Sequence, residues 1–302
     1  MVYGRVLSSM FRYPGGKSRL KKQIVSVIKA YYAKDNCYTT CRYVEPFFGG
    51  GSIGRELLDS ICSVAINDYD IGIAAFWHAL INNPEELCEY VNSFTPTTDA
   101  FYEFKKIFLD EGLRDSVLID KKYSLPHIGF MKMALHQISY SGLGAKSGGP
   151  LGGAAQKSDY KIDCRWSPEN IDKKIWKLRS KLSRVNIFNN TCSFDDFEIF
   201  INDVLKESGY NFIYLDPPYY KKGPELYQFS FDEATHLRMA DMLQSIDCPW
   251  LLSYDCSEEV KDIYKWAKIV EIDVTNTINT KNGSVSKKEL LIVNKKYKYL
   301  LE

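Results

Sequence analysis

Helical and strand patterns alternate along the first part of the chain. Apolar residues recur at helical spacing over 20–32, whereas 42–46 and 63–68 are short apolar runs that end on polar residues, as buried strands do. A glycine-rich turn at 49–51 follows the first of these runs and leads into a predicted helix over 53–58. A strand, a glycine-rich loop, a helix and a second strand in this order predict the opening of a doubly wound parallel sheet.

The alternation resumes after a long central stretch. Residues 72–140 are rich in helical patterns and end in a loop of small residues, 141–158. A loop of this length inside a compact domain is usually functional or mobile. A further helix is predicted over 171–182, and the apolar run 211–216, which is followed by two prolines, predicts a buried central strand.

The C-terminal part completes the pattern. A helix is predicted over 231–245 and a strand over 250–254. The runs 271–274 and 290–293 are expected to pair around a loop that contains an Asn-Gly turn at 282–283. Together these elements predict the α/β class, with a Rossmann-like, doubly wound, mainly parallel sheet and a helical insert.

The composition is typical of a soluble globular protein, with 45% hydrophobic residues in a chain of 302. No run approaches the roughly 20 apolar residues of a membrane helix, and residues 1–5 lack the apolar stretch of a signal peptide. We therefore expect a cytoplasmic protein that does not contact a membrane. The eight cysteines form no close CxxC pair, which favours reduced thiols over disulfides or zinc and predicts no metal.

Positive charge is concentrated in the middle of the chain, although the net formal charge is only +1. Residues 121–184 contain thirteen Lys or Arg and four Asp or Glu. This region is therefore the candidate for contacts to phosphate groups. An equally simple interpretation is that its cations solvate the outer face of the helix at 171–182.

Three glycines, Gly49, Gly51 and Gly54, follow a predicted strand, and Asp68 stands nineteen positions after the first of them, at the end of the next strand. Glycines at this point let the backbone approach a ligand, and an acidic residue about 20 positions on accepts hydrogen bonds from a ribose. The pattern fits an NAD-dependent enzyme as well as a methyl-donor site. A tight turn that binds nothing is the third interpretation.

The sequence Asp216-Pro217-Pro218-Tyr219, called the DPPY motif below, follows the predicted central strand. In open α/β sheets ligands bind outside the carboxyl ends of the strands, so the motif is expected to face the same crevice as the glycine loop. An exocyclic amine is a poor nucleophile until hydrogen-bond acceptors draw its N–H groups out of conjugation with the ring. The Asp216 carboxylate and the Pro217 carbonyl supply two acceptors, and the prolines fix the backbone that carries them.

Tyr219 completes the motif with a flat face on which a base removed from a duplex can stack. The ring rather than the hydroxyl is expected to matter for this role. A rigid turn at the end of a strand, without chemistry, is the alternative interpretation of the motif.

A third motif lies near the N-terminus, where Phe11 to Ser18 read Phe-Arg-Tyr-Pro-Gly-Gly-Lys-Ser. A Pro-Gly-Gly turn followed by Lys17 at a helix start would bring cationic charge and backbone N–H groups to an anionic group of a ligand. A phosphate-binding GxxxxGKS motif is excluded, because position 11 is Phe11 instead of glycine.

Together these motifs resemble those of the Dam-type DNA adenine methyltransferases, in the subgroup where cofactor motifs come first, then a target-recognition insert, then DPPY. The resemblance implies site-specific transfer of a methyl group from S-adenosyl-L-methionine to adenine N6 in double-stranded DNA, with the target base flipped out. It assigns catalysis to Asp216, Pro217, Pro218 and Tyr219. It assigns cofactor binding to Tyr13, Lys17, Glu45, Phe47, Gly49, Gly51, Asp68 and Asp216.

The same resemblance implies that residues 1–70 and 170–302 form the catalytic domain and 71–169 the target-recognition insert. GATC-specific members carry an asparagine and an arginine near the Tyr-x-Gly-Leu stretch, here 140–143, and this chain lacks them. Because these side chains are best suited to bidentate base reading, GATC specificity is not expected. Candidate DNA contacts are Lys146, Lys157, Lys161 and Arg165. His127 and His136 have apolar neighbours and are expected to be packed or surface histidines rather than catalytic ones.

Double-stranded DNA is the expected partner, a cognate restriction endonuclease is a candidate partner, and we expect a monomer. Methylation of RNA adenine or of cytosine N4 in DNA remains an alternative, because both reactions need the same activated amine. A DNA-binding relative without activity is a third hypothesis. The large insert favours duplex DNA, and the intact motifs favour an active enzyme.

Overall fold

The computed structural model of the protein describes residues 9–11, 20–34, 40–140, 142–207, 209–221, 223–226, 228–275 and 286–302. Tyr13 and Lys17, which the sequence assigns to cofactor binding, lie outside these ranges. So do the Asn-Gly turn at 282–283 and Ser141.

A mixed sheet forms the centre of the described structure. Its strands are β1 (Cys41–Glu45), β2 (Ser63–Asn67), β3 (Asn186–Ser193), β4 (Tyr210–Leu215), β5 (Trp250–Asp255), β6 (Lys268–Thr275) and β7 (Ser286–Val293). Within the described residues these seven strands lie in the order β3-β2-β1-β4-β5-β7-β6. Strand β7 runs antiparallel to β5 and β6, and the remaining neighbours are parallel. The predicted α/β class and mainly parallel sheet are confirmed.

Helices cover the sheet and extend beyond it. The α-helices are α1 (Leu20–Lys34), α2 (Gly54–Leu57), α3 (Ile71–Asn82), α4 (Pro84–Ser93), α5 (Thr98–Leu109), α6 (Leu113–Leu118), α7 (Leu125–Ile138), α8 (Pro168–Leu182), α9 (Phe197–Lys206), α10 (Gly223–Leu226), α11 (Glu233–Ser245) and α12 (Glu258–Ile263). Short 3-10 helices span Gly144–Lys146 and Lys295–Leu301. None of the helices in the described ranges has the length and apolar character that crossing a bilayer requires.

The central strands form as their sequences predict. Every residue of β5 is buried, and β4 is buried after its first residue, as expected for continuous apolar runs in a sheet covered on both faces. The predicted pairing of the last two runs is also confirmed, with Ile272 of β6 opposite Glu289 of β7.

Strand β3 was not predicted from the sequence. Its residues read Asn-Ile-Phe-Asn-Asn-Thr-Cys-Ser, and most of them are exposed or half-buried. It occupies one edge of the sheet, where Asn189 and Asn190 adopt positive φ and the register against β2 shifts. Such a strand gives no clear period-two signal, because its side chains do not alternate regularly between a buried and an exposed face.

The helices of the central stretch pack mainly around α7. Helix α7 is buried along almost its whole length and lies against α3, α4 and α5. Gly129 permits the close contact with α3, since a Cβ at that position would lie 2.5 Å from the backbone N of Phe76. His136 packs edge-on against Phe11 and His127 stacks on Tyr90, so both histidines are packed as expected.

The basic helix α8 has the predicted amphipathic form. Its apolar face is buried, and it consists of Ile171, Ile175, Leu178 and Leu182. Two of its cations make ion pairs, Lys173 with Glu169 and Lys181 with Asp59.

The side chain of Asn67 joins three strand ends. It is 1% exposed at the end of β2. Its Nδ2 donates to the carbonyl of Pro46 at 3.0 Å and to that of Asp195 at 3.1 Å, and its Oδ1 accepts from the Asp195 N–H at 2.9 Å. The loops that follow β1 and β3 are therefore fixed to the end of β2.

We expect Asn67→Ala to lower the free energy of unfolding by about 2–4 kcal/mol, because it leaves buried backbone groups without their partner. Urea denaturation measures the loss. Asn82→Ala is the matched control, since the Asn82 amide makes an exposed bond to Asn190 O, and its cost should stay below about 1 kcal/mol. Equal losses in the two variants would contradict this role of Asn67.

Candidate active site

The carboxyl ends of three neighbouring parallel strands, β2, β1 and β4, lie at the same end of the sheet. Strand β1 pairs in parallel with β2, where Glu45 lies opposite Ile66, and with β4, where Val44 lies opposite Ile213. The glycine loop after β1, Asp68 after β2 and the DPPY motif after β4 are therefore brought to the same side. This is the crevice in which open α/β sheets bind ligands.

Hydrogen bonds to the N–H and to the carbonyl of Gly49 hold the glycine loop in place. The Gly49 N–H donates to Asp68 Oδ2 at 2.7 Å, and the Trp77 indole N–H donates to Gly49 O at 2.8 Å. Gly49 and Gly51 have φ of +50° and +62°, a conformation that favours glycine. A Cβ at Gly49 would meet nothing within 4 Å, so the backbone is open to a ligand there.

Gly54, the third glycine of the pattern, serves internal packing. A Cβ at this position would lie 2.6 Å from the ring of Phe48 and 2.8 Å from Glu45 Oε2. The third glycine therefore permits packing inside the protein rather than the approach of a ligand.

The carboxylate of Asp68 lies among backbone donors. Besides the Gly49 bond, its Oδ1 accepts from the Asp70 N–H at 2.9 Å. Burial and the neighbouring Asp70 carboxylate raise the pKa of Asp68 to about 7, while the backbone donors and Lys132 act in the opposite direction. Asp68 thus changes charge near neutral pH.

Lys132 is a site neighbour that the sequence analysis missed. It is 2% exposed in the middle of α7, and its Nζ lies 2.5 Å from Asp70 Oδ2 and 2.8 Å from Gln228 Oε1. Gln228 in turn donates to the carbonyl of Phe108. A single buried cation therefore connects the helices of the central stretch to the start of α3 and to the segment that follows DPPY.

Glu45 ends β1 with its carboxyl group inside the protein. Its Oε2 accepts from the Tyr43 hydroxyl at 2.7 Å and from the Gly54 N–H at 3.1 Å. Burial is the largest cause that raises the pKa of Glu45 well above its usual range, and the charge of Asp216 raises this pKa further. The hydrogen bond from Tyr43 lowers it. The parallel pairing of β1 with β4 places the end of β1 beside the strand that leads into the DPPY motif.

Phe47 is half-buried in an aromatic cluster. Its ring centroid lies 5.7 Å from that of Phe197 and 5.7 Å from that of Phe231. The cluster continues through His236, which contacts Phe231 and Tyr220. It lies beside the chain that leaves the DPPY motif.

The DPPY motif is anchored from strands β5 and β7. Ser253 Oγ donates to the Leu215 carbonyl at 3.4 Å and lies 3.5 Å from Asp216 Oδ1, in a half-buried site. Tyr219 is only 6% exposed, and its hydroxyl donates to Glu289 Oε1 at 3.0 Å. The hydroxyl, to which the sequence assigned no role, therefore has a buried acceptor.

The candidate DNA contacts of the insert are all on the surface. Lys146, Lys157, Lys161 and Arg165 are exposed, as are Tyr140 and Tyr160. The loop that carries three of these cations is ordered by Gln156, which donates to the Leu151 carbonyl and accepts from the Ile162 N–H at 2.8 Å each. Three of the four cations, Lys157, Lys161 and Arg165, are thus presented at the surface on a loop held by hydrogen bonds.

Residues 13–278 match the family model of the D12 class N6 adenine-specific DNA methyltransferases. The chain belongs to this family. It is also 24% identical over 300 residues to the Type II methyltransferase M1.LlaDCHI of Lactococcus lactis subsp. cremoris, a match that covers 94% of each chain. The predicted class of enzyme, an adenine-N6 DNA methyltransferase, is confirmed, and membership of a methyltransferase family implies the use of S-adenosylmethionine.

This D12 class methyltransferase has site neighbours to which the sequence analysis assigned no supporting role. Asn67, Trp77 and Lys132 support the glycine loop and Asp68, and Ser253 and Glu289 support the DPPY motif. The sequence carries a local signal for two of them. Lys132 interrupts the apolar run of α7, and Glu289 stands at the start of the apolar run of β7. The partners of these residues lie far away in the sequence.

We expect Gly51→Ala to destabilise this methyltransferase by about 1–2 kcal/mol, because an L-residue disfavours φ of +62° and its Cβ would lie 3.0 Å from the rings of Phe48 and Trp77. Thermal unfolding and S-adenosylmethionine titration measure the effect, and affinity should fall as well. Gly148→Ala is the control, since its Cβ would meet nothing within 4 Å. A Gly51→Ala protein that unfolds and binds like the wild type would contradict the strained position of the loop.

Proposed function

We propose that this D12 class enzyme binds S-adenosylmethionine between the glycine loop and the DPPY motif and methylates adenine N6 at a specific site in duplex DNA. The observation that carries the proposal is the parallel pairing of β1 with both β2 and β4. This pairing supports a common site in which Asp68 accepts hydrogen bonds from a ribose and Asp216 accepts one from an amine.

The cofactor is assigned to the open face of the glycine loop. Asp68 accepts the ribose hydroxyls, Gly49 and Gly51 let the backbone approach, and Glu45 and Phe47 line the base of the loop. Tyr13 and Lys17 are assigned to the same cofactor site from the sequence alone. The free space at Gly49 supports this placement.

The target amine is assigned to the DPPY motif. The Asp216 carboxylate and the Pro217 carbonyl would accept its two N–H groups. S-adenosylmethionine would supply the methyl group, so that the N6–CH3 bond forms as the S–CH3 bond breaks and S-adenosylhomocysteine leaves. The amine proton leaves to water after attack, so no strong general base is required. Most of the rate enhancement then comes from positioning and from exclusion of water.

Residues 71–169 are proposed to read the DNA, and residues 1–70 and 170–302 to form the catalytic domain. Exposed Lys146, Lys157, Lys161 and Arg165 support phosphate contacts along the insert. The similarity to a Type II methyltransferase supports a cognate restriction endonuclease as a functional partner. We propose that the enzyme acts as a monomer and needs no metal.

The direct test uses methyl-labelled S-adenosylmethionine and an unmethylated plasmid. We expect label in DNA, and single-molecule sequencing should map N6-methyladenine to one short recurring sequence. Asp216→Ala should lower the rate by at least about 100-fold, because the amine loses an acceptor in the transition state.

Asp262→Ala is the matched control, since this exposed carboxylate pairs only with Lys265 among the described ion pairs, and its activity should be unchanged. Both variants should unfold like the wild type. Label that enters RNA instead of DNA, or N4-methylcytosine at the mapped sites, would refute the proposal. Retained activity in Asp216→Ala would remove Asp216 from the mechanism.

The pKa of Asp68, about 7, predicts a pH-dependent affinity for the ribose. The ionised carboxylate accepts two hydroxyl bonds and forms only above this pKa. Affinity should therefore rise by up to about tenfold per pH unit below pH 7 and level off above it. Calorimetric titration of 5′-methylthioadenosine between pH 5.5 and 8.5 measures this, because that ligand carries the ribose without the titrating amino-acid group.

Asp68→Asn should bind more weakly and lose the dependence on pH, since an amide does not titrate in this range. Free adenine, which lacks the ribose, is the ligand control and should show no such dependence in the wild type. A wild-type affinity that is constant from pH 5.5 to 8.5, together with an undiminished affinity in Asp68→Asn, would show that Asp68 does not hold the ribose.

A further inference from the structure

Two carboxylates face each other at the end of the sheet beside the DPPY motif. Asp255 ends β5 and Glu289 lies opposite it on β7, and we call them the carboxylate pair. They are 9% and 3% exposed. Directly opposed like charges destabilise an antiparallel pair unless other groups stabilise them, so the donors that the two carboxylates bind decide their role.

Both carboxylates bind the residues at the end of the DPPY motif. Glu289 Oε1 accepts from the Tyr219 hydroxyl at 3.0 Å, and Asp255 Oδ1 accepts from the Tyr220 N–H at 2.9 Å. One bond therefore holds a side chain, and the other holds the main chain of the next residue. Both come from strands on the same side of β4.

These bonds fix the orientation of the Tyr219 ring. The side chain leaves the backbone at one end, and its hydroxyl is held at the other, so the direction of the ring axis is fixed. Because the phenol O–H prefers to lie in the ring plane, the position of its acceptor also favours one rotation of the ring about that axis. The bond to the Tyr220 N–H fixes the backbone beyond the ring. A base that stacks on this ring is positioned by the same contacts, and small displacements of a reacting group are costly in rate.

We propose that Asp255 and Glu289 are positioning residues that set the Tyr219 ring for the target adenine. This inference rests on the proposed function of the DPPY motif. It gives the Tyr219 hydroxyl a role that base stacking alone does not require. The carboxylate pair acts through Tyr219 and Tyr220 and does not touch the substrate.

The test compares two substitutions of Glu289. Glu289→Gln keeps an oxygen that accepts the Tyr219 hydroxyl and should retain kcat within about threefold. Glu289→Leu removes the acceptor at similar volume and should lower kcat by at least about tenfold, while KM for S-adenosylmethionine changes less than about twofold. Glu271→Leu is the matched control, because this exposed glutamate pairs with Lys261 and Lys288, and kcat should not change.

Tyr219→Phe tests the same bond from the donor side, and it keeps the proposal testable if Glu289→Leu does not fold. It should lower kcat to a similar extent, and the double variant with Glu289→Leu should be no slower than the slower single variant. Full kcat in Tyr219→Phe, or strictly multiplicative losses in the double variant, would overturn the proposal.

A readout without catalysis separates this inference from the proposed function. Protein labelled with 3-fluorotyrosine gives a ¹⁹F resonance for Tyr219, identified by its absence in Tyr219→Phe. This resonance should shift in Glu289→Leu and stay near its wild-type position in Glu289→Gln and Glu271→Leu. A wild-type enzyme that does not methylate DNA refutes the proposed function alone, whereas an unchanged resonance in Glu289→Leu refutes the role of the carboxylate pair.

Discussion

One buried amide determines the shape of the crevice before any ligand enters. Asn67 bonds to Pro46, which precedes the glycine loop, and to Asp195, which follows β3. Asp68 is the next residue, and its carboxylate consequently meets the Gly49 N–H. If either loop moved away, a buried polar group would lose its partner, so the fold resists such a movement.

The acidic groups of the site and the shape of its loops depend on the same hydrogen bonds. Buried carboxylates are costly unless they receive donors. Here the donors belong to the loops themselves: Gly54 for Glu45, Gly49 for Asp68, and Tyr219 for Glu289. Lys132 adds a cation to the Asp68 and Asp70 neighbourhood and connects it to Gln228 beyond the DPPY motif. A substitution of one of these carboxylates is therefore expected to change the geometry of the loop that donates to it.

The sequence predicts the parts of this enzyme whose signals are local. Apolar runs predict β4 and β5, spacing predicts α8, and the order of motifs predicts the crevice. Strand β3 was missed because an edge strand with two asparagines at positive φ has no regular alternation. The contacts of Lys132 and Glu289 were not predicted, because their partners, Asp70 and Tyr219, lie in other elements and only the folded chain brings them together. The roles of Tyr13 and Lys17 stay predictions.

The order of the strands has a consequence for synthesis of the chain on the ribosome. Strand β7 is the last of the described strands to be made, yet it lies between β5 and β6. Until it emerges, β6 has no strand to pair with among those described, and the outer edge of β5 stays open. Glu289 arrives with the same strand and reaches Tyr219 only then. The growing polypeptide therefore completes the support of Tyr219 only when the last of the described strands has emerged.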